Sequence, residues 1–459
     1  MGYNFVECNR NQMYLMPPSL QDWLDEGDLA FFIIDAVGVM DISGFYKKYR
    51  IDGKGGAAFD PSMMICLMLY AYCIGERSSR RIERLCERDI GFRVITANRK
   101  VDHSTISRFR KSNEKELEQL FIEILKLCSA SGILKVGVVA LDGTKMGGNA
   151  ALSSNRTQEH IEVEVKKILS EAQATDDTED GLYGESSRGD ELPEEFRQRA
   201  SRLERLRQCK ERLEKTAKEA VTKQQEKVDK REQEELESGK KKRGKKPKEP
   251  EEVVDKNKKA NVTDPESRIM KGRRGYVQGY NAQAVVTQEQ IIIAAEVTQE
   301  ENDVHQLKPM LDKTQENLNE AGVKERIEIG LADAGYWEEE SIKEKQSEGI
   351  NLLVSTKKDW KQRKAMREEK PPRGRIPAGL SERQRMERKM STKSGKENYR
   401  RRGEMIESVF GQVKGVRGIR EFFRRGLDAC GSEWKLICMT HNLLKLFRFN
   451  NACNEGCCG

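Results

Sequence analysis

Two aspartates in this chain each close a short apolar run. Asp142 follows Val136–Leu141, and Asp333 follows Ile327–Leu331 and Ala332. A continuous, β-branched apolar run of that length reads as a buried strand, and a turn former behind it reads as the strand's end. Far along the chain, Glu404 and Glu407 stand three residues apart on an amphipathic helix predicted to begin at Tyr399, so they share one face. Carboxylates gathered without His or Cys suit hard divalent cations, above all Mg²⁺. Two such ions activate a water or hydroxyl and stabilise the leaving oxygen of a phosphodiester. Each acid also has a plainer use, the aspartates as turn formers and the glutamates as ion-pairing surface residues. Their joint occurrence, with Arg and Lys crowded beside the third acid, singles out the chemical reading. No Ser/His/Asp or Cys/His grouping competes, because His103, His160, His305 and His441 lie in four different segments.

The elements that must position these acids follow in a definite order. Residues 1–130 read as helical, with apolar spacings of three and four over Ser62–Tyr72, Ser78–Asp89, Thr105–Arg110 and Glu114–Cys128. The first strand lies in 131–154. Residues 155–262 form a charged insertion, read as a helical hairpin closed by the basic run Lys240–Lys248. A hairpin, Gly279–Thr287 with Ile291–Thr298, then opens 263–450, where helices and strands alternate and a basic segment runs from 357 to 402; residues 451–459 are a tail. Three adjacent antiparallel strands followed by alternating helices and strands predict a mixed α/β sheet, and ligands bind such sheets at strand ends.

Charge and composition narrow the partners. The chain has 83 Lys plus Arg against 76 Asp plus Glu, a net +7, yet 18 basic and 6 acidic residues fall between Lys357 and Arg402. A local excess of twelve positive charges on a mildly acidic remainder points to a polyanion at one place. Within it, replacing Arg383, Arg385, Arg388 and Lys389 is the natural probe of phosphate contact. Trp360 is a candidate to stack on an unpaired base, or else a core residue. Arg108, Arg110 and Lys111 follow Ser104, Thr105 and Ser107, a pattern that suits a helix docking on DNA phosphates or a capped surface helix of a bundle. No apolar run reaches the roughly 20 residues a membrane helix needs, and no secretory signal opens the chain. The eleven cysteines, mostly scattered singly, read as reduced thiols in cytoplasm. The terminal Cys453, Cys457 and Cys458 lack a fourth ligand and read as chain end.

At the motif level the chain resembles bacterial insertion-sequence transposases of the DDE class, specifically the branch called insertion-sequence family eleven-eighty-two. The resemblance rests on Phe59-Asp60-Pro61, Asp102–Arg110, Leu141–Lys145, Thr263–Arg268, Gly279–Gln283, Ala332–Tyr336 and Tyr399–Glu407 with Phe410, Gly411 and Lys414. It implies a ribonuclease-H-like core (a mixed five-stranded sheet with flanking helices), an all-α N-terminal DNA-binding region and the long helical insertion. It also implies Asp142, Asp333 and Glu407 as catalytic metal ligands for Mg²⁺, with Mn²⁺ as a substitute. Tyr399, Arg402 and Lys414 would contact DNA, together with Arg108, Arg110 and Lys111. The implied partners are double-stranded element ends and target DNA, a homodimer or higher assembly, and no membrane, at a cytoplasmic, nucleoid-associated location. One spacing departs from the related signature: four residues, not three, separate Arg402 from Glu407. The rival functions are a metal-dependent nuclease of the same fold and an inactivated, DNA-binding descendant.

Overall fold

The computed structural model describes residues 19, 21–49, 57–183, 194–238, 248–249, 257–272, 275–357, 360–372, 374–377 and 379–456. Before the first strand the described residues are helical, and polar caps set where the helices begin. Asp60 accepts from the Ser62 amide at 2.7 Å with Pro61 in the first turn of helix Pro61–Cys73. Asp102 accepts from the amides of Ser104 and Thr105 to start helix His103–Ser112. Two of the motifs quoted for the resemblance are therefore helix caps.

Among the described residues eight strands follow: β1 (Val138–Gly147), β2 (Asn155–Thr157), β3 (Lys259–Asn261), β4 (Arg268–Gly272), β5 (Gly275–Thr287), β6 (Ile292–Thr298), β7 (Ile329–Ala332) and β8 (Asn351–Val354). The main sheet runs β6-β5-β1-β7-β8, with β4 on the same edge of β5 as β6. β1, β5 and β6 pair antiparallel, whereas β7 and β8 run parallel to β1. This mixed sheet with flanking helices fits a ribonuclease-H-like core. The apolar runs Val139–Leu141 on β1 and Ala284–Val286 on β5 are buried because both faces of the sheet are covered there. Close approach decides Gly279, where an added Cβ would lie 1.9 Å from the Met146 carbonyl oxygen on β1.

One hydrophobic core serves the N-terminal helices and the sheet together, running from Ala30 through Tyr72 and Val139 to Trp434 and Leu446. Helix Glu114–Ala130 packs on the long last helix, Leu427–Gly456. A buried ion pair, Arg77 with Glu433 at 2.8 Å, joins the two ends of the chain. The insertion is attached differently. It leaves β2 and returns at β3, a two-stranded clasp in which Thr157 faces Lys259. Its helices, Gln158–Tyr183 and Glu194–Ser238, close over a separate cluster of Ile161, Leu206, Cys209, Leu213 and Ala260.

Several boundaries move from the sequence reading. β1 does not stop at Leu141 but continues to Gly147, because β5 supplies an antiparallel partner for every residue from Val139 on. β4 was not anticipated, since Arg268-Ile269-Met270-Lys271-Gly272 carries too few apolar residues to signal a strand. The helix expected from Tyr399 starts at Lys393, where Thr392 caps the Gly395 amide. The basic segment is helical over Trp360–Glu368, Glu382–Ser391 and Lys393–Arg402, and Met386 and Met390 are buried.

Candidate active site

The first two acids meet because of how β1 changes partners. Its parallel pairing with β7 ends at Ala140 opposite Leu331, while its pairing with β5 continues through Asp142 opposite Ala284. Asp142 is thus internal to its strand but lies just past the end of β7, where Asp333 follows Ala332. Asp142 accepts from the Gly143 amide at 2.9 Å, and Asp333 from the Gly335 amide at 2.7 Å. Burial pushes the Asp142 carboxyl up to about 6; Arg402 opposes this, and the charges of Asp333 and Asp303 reinforce it. Buried Tyr336, whose hydroxyl donates to Gln283, is held neutral well above its usual range by burial and by the same carboxylates.

The third acid arrives on a helix from Lys393 to Val416 whose bonding widens twice into π-turns, at Gly403–Glu407 and Gln412–Val416. A π-turn inserts one residue into a helix without ending it. The first π-turn occupies the stretch between Arg402 and Glu407. Arg402 reaches Asp142 at 2.7 Å, and its side chain is 10% exposed. Glu407 lines a cavity of about 920 Å³ with Asp142, Lys145, Lys271, Tyr276, Lys414 and Arg420. Glu404 is not among the cavity-lining residues; it is exposed and faces Arg400 at 3.6 Å. Lys414 donates to Thr144 Oγ1 at 2.6 Å and to the Lys145 carbonyl at 2.7 Å, which pins the helix to β1.

The other expected contacts divide. Arg108 and Lys111 are exposed. Arg110 is a correction: it is buried, donates to the Arg77 carbonyl at 3.1 Å and stacks over Tyr72, so its guanidinium holds the helices together and faces no solvent. Tyr399 is half-buried against the core. Arg383 and Lys389 donate to the carbonyls of Thr356 and Leu352, and Arg385 faces Glu382, so this part of the basic segment is partly committed to the fold. The side chain of Trp360 and residues Cys457 and Cys458 lie outside what is described, while Cys453 is an exposed free thiol.

Sequence reasoning missed Asp303. The helix after β6 begins at Leu307 after a short 3₁₀ turn, and Asp303 makes no cap bond. Its Oδ1 instead accepts from Asn281 and Gln283 at 2.7 Å each. The available signal was the pair of polar residues on the otherwise apolar, fully buried part of β5.

Among the described residues, one group of three acids or histidines has its ligand atoms within 4.8 Å of one another: Glu83, Asp102 and His103. It is a helix cap in which His103 Nδ1 bonds Glu83 at 2.8 Å. Asp142 and Glu407 line one cavity and Asp333 follows the strand beside Asp142, but the three do not meet that spacing, and the Arg402 guanidinium stands against Asp142.

Two family matches bear on this arrangement. Residues 18–112 match the family described as transposase domain (DUF772), and residues 253–443 match the transposase DDE domain. The chain belongs to the insertion-sequence transposases of the DDE class. No curated protein and no solved structure gives a significant match. In this transposase the DDE match contains Asp333 and Glu407, whereas Asp142 falls in the stretch between the two matches. The sheet pairing sets it beside Asp333. Among the described residues, no helix is long and apolar enough to cross a membrane.

Proposed function

We propose that this transposase cuts DNA at the ends of its element and joins the freed 3′-hydroxyl to target DNA, with Asp142, Asp333 and Glu407 as the ligands of divalent cations. The observation that carries this reading is the cavity in which Asp142 and Glu407 face Lys271, Lys414 and Arg420, with Asp333 behind Asp142 at the end of β7. The donor set fits the cation. All three side chains offer oxygen only, which suits Mg²⁺ and its substitute Mn²⁺. Burial is the main reason Asp142 holds its proton more tightly, with the charges of Asp333 and Asp303 adding to it, and a bound cation would offset both.

The bound ion would supply stabilisation of charge on the attacking and leaving oxygens. The chain's own groups do the rest. Arg402 keeps Asp142 oriented and favours its ionised form. Lys414, fixed to β1, anchors the Glu407 helix against the strand. Lys271 and Arg420, both exposed at the cavity, neutralise the phosphates flanking the reacting one. Cleavage and joining are both in-line attacks on phosphorus, by water and then by a 3′-hydroxyl, so no protein nucleophile is needed. Arg108 and Lys111 on helix His103–Ser112 hold the element end. We place the chain in the eleven-eighty-two branch, acting as a homodimer or larger assembly on double-stranded DNA in the bacterial cytoplasm.

Incubating the purified chain with labelled duplex ends of its element, Mg²⁺ and a supercoiled target tests the proposal. Covalent joining of the labelled 3′ end to the target is the expected result. Nicking of any duplex without joining would replace the reading with a nuclease.

A further inference from the structure

The cavity that holds Asp142 and Glu407 has a wall whose aromatic residue no step above uses. β5 pairs with β1 only as far as Gly279, and the Gln278 carbonyl still accepts from the Gly148 amide. Past that point β5 pairs with β4 alone, down to Gly275 opposite Gly272, and the two strands form a ribbon that outruns β1. Tyr276 and Lys271 stand directly opposite each other on this ribbon, and both line the cavity. Tyr276 is 66% exposed, and its hydroxyl makes no hydrogen bond to a described residue. A single exposed ring is ordinary on a protein surface, but this one sits in a charged setting. Residues 268–277 carry four Lys or Arg and no acid. The same cavity is therefore acidic at Asp142 and Glu407 and basic at the ribbon. A phosphate is repelled by the acids until a cation binds there, whereas the ribbon attracts it without one.

We propose that the β4–β5 ribbon is a docking arm for duplex DNA, seated in a groove of the element end beside the cut, with Tyr276 against base edges and Lys271 on a phosphate. The inference rests on the transposase reading above and deepens it by naming what seats the duplex. A two-stranded ribbon fits the major groove, which is about 12 Å wide. The phenol ring offers an apolar face to a thymine methyl, and its hydroxyl both donates and accepts. Strand geometry sets the reach. Tyr276 is eight residues along β5 from Ala284, the partner of Asp142. At about 3.3 Å per residue that is at most about 26 Å, or about seven base pairs at about 3.4 Å each. Because the ribbon and Asp142 belong to one sheet, the arm fixes which phosphodiester meets the acids.

The test titrates the full chain, in chelator, against two fluorescent duplexes: the native element end, and the same end with the seven base pairs beside the cut scrambled. Tyr276→Ala should bind the native end about tenfold more weakly, the loss of one base-edge contact, and the scrambled end as the native chain does. Tyr276→Phe, which keeps the ring, should lose less. Lys271→Ala should weaken both duplexes alike, as a phosphate contact does. In Mg²⁺, Tyr276→Ala should spread cleavage over neighbouring phosphodiesters on a sequencing gel. If the native chain prefers the native end and Tyr276→Ala keeps that preference in full, the docking arm is overturned and the transposase reading stands. If the native chain neither prefers that end nor joins it to a target, the transposase reading fails and takes the arm with it. Should Tyr276→Ala fail to fold, Lys271→Glu gives the second reading: it should weaken both duplexes at least about tenfold, and unchanged affinity overturns the arm.

Discussion

The N-terminal helices and the insertion are both helical, charged at their surfaces and remote in sequence from the third acid, yet they are joined to the sheet in opposite ways. The N-terminal helices bury Leu, Ile, Met and Phe into the same core as β1, β5 and the last helix. The insertion keeps a separate small core around Ile161, Leu206 and Leu213 and meets the body through a short strand pair and polar contacts, among them Arg212 with the Ser267 carbonyl at 3.2 Å. Continuous apolar burial makes two segments one cooperative unit; a polar seam leaves them separable. The acids belong wholly to the first kind of region, and this is where the comparison can be broken.

The largest effect falls on chemistry alone. Asp142→Asn, Asp333→Asn and Glu407→Gln should each lower cleavage by about 10³-fold or more, the several kcal/mol that metal-centred charge stabilisation supplies. Exposed Glu404→Gln should stay near the native rate. Single-turnover cleavage of a labelled end measures all four, and loss of activity in Glu404→Gln with survival in Glu407→Gln would move the site by one turn.

Next in size is the tie between the chain's two ends. Glu433→Gln strands Arg77, which is 5% exposed, without its carboxylate. Removing one partner of a buried pair costs about 3–5 kcal/mol, so chemical denaturation should show that loss in one transition shared by N-terminal helices and sheet. Two separate transitions would contradict the single core.

The insertion should behave in the opposite manner. Replacing residues 158–258 by Asn-Gly turns the β2–β3 clasp into an ordinary hairpin. The shortened chain should fold with the melting temperature of the body nearly unchanged, while transposition falls. Aggregation would show that the cluster around Leu206 belongs to the main core after all.

A smaller effect appears with pH. The Asp142 carboxyl binds its proton more tightly when folded, up to about 6 against 3.8 for an ordinary aspartate. The folded state therefore holds more protons than the unfolded one between those values, and stability without divalent cation should fall as pH rises through that window. Asp142→Asn should flatten the decline in denaturant melts, and added Mn²⁺ should oppose it above pH 6. The smallest change concerns salt. Lys271→Ala and Arg420→Ala, at the cavity, should each reduce the slope of log affinity against log salt by about 1. Arg383→Ala, bonded to the Thr356 carbonyl, should leave the slope alone.

Much of this was legible along the chain. Asp142 and Asp333 stood out because strands buried on both faces read as unbroken apolar runs, and such runs end visibly. The two helices of the insertion showed their narrow stripes at Ile161 and Leu206. β4 stayed hidden because its stability comes from pairing with β5, not from its own residues. Arg110 misled because an arginine in a basic helix looks the same whether it points to solvent or stacks on Tyr72.

What the sequence by itself determined is the set of local signals: the three- and four-residue apolar spacings of the N-terminal helices, the apolar runs before two acids, and the basic stretch after β8. Each depends on neighbours within a few residues. Tertiary structure alone decided the rest. The pairing of β1 with both β5 and β7 put Asp142 beside Asp333, 191 positions apart in the numbering. The helix carrying Arg402 packs so that its guanidinium meets Asp142 at 2.7 Å, 260 positions away. Asp303 lies beside Gly335, two places after Asp333, because Asn281 and Gln283 on a neighbouring strand hold its carboxylate. These outcomes depend on which segments share an edge or a core, and no residue's own surroundings in sequence record that.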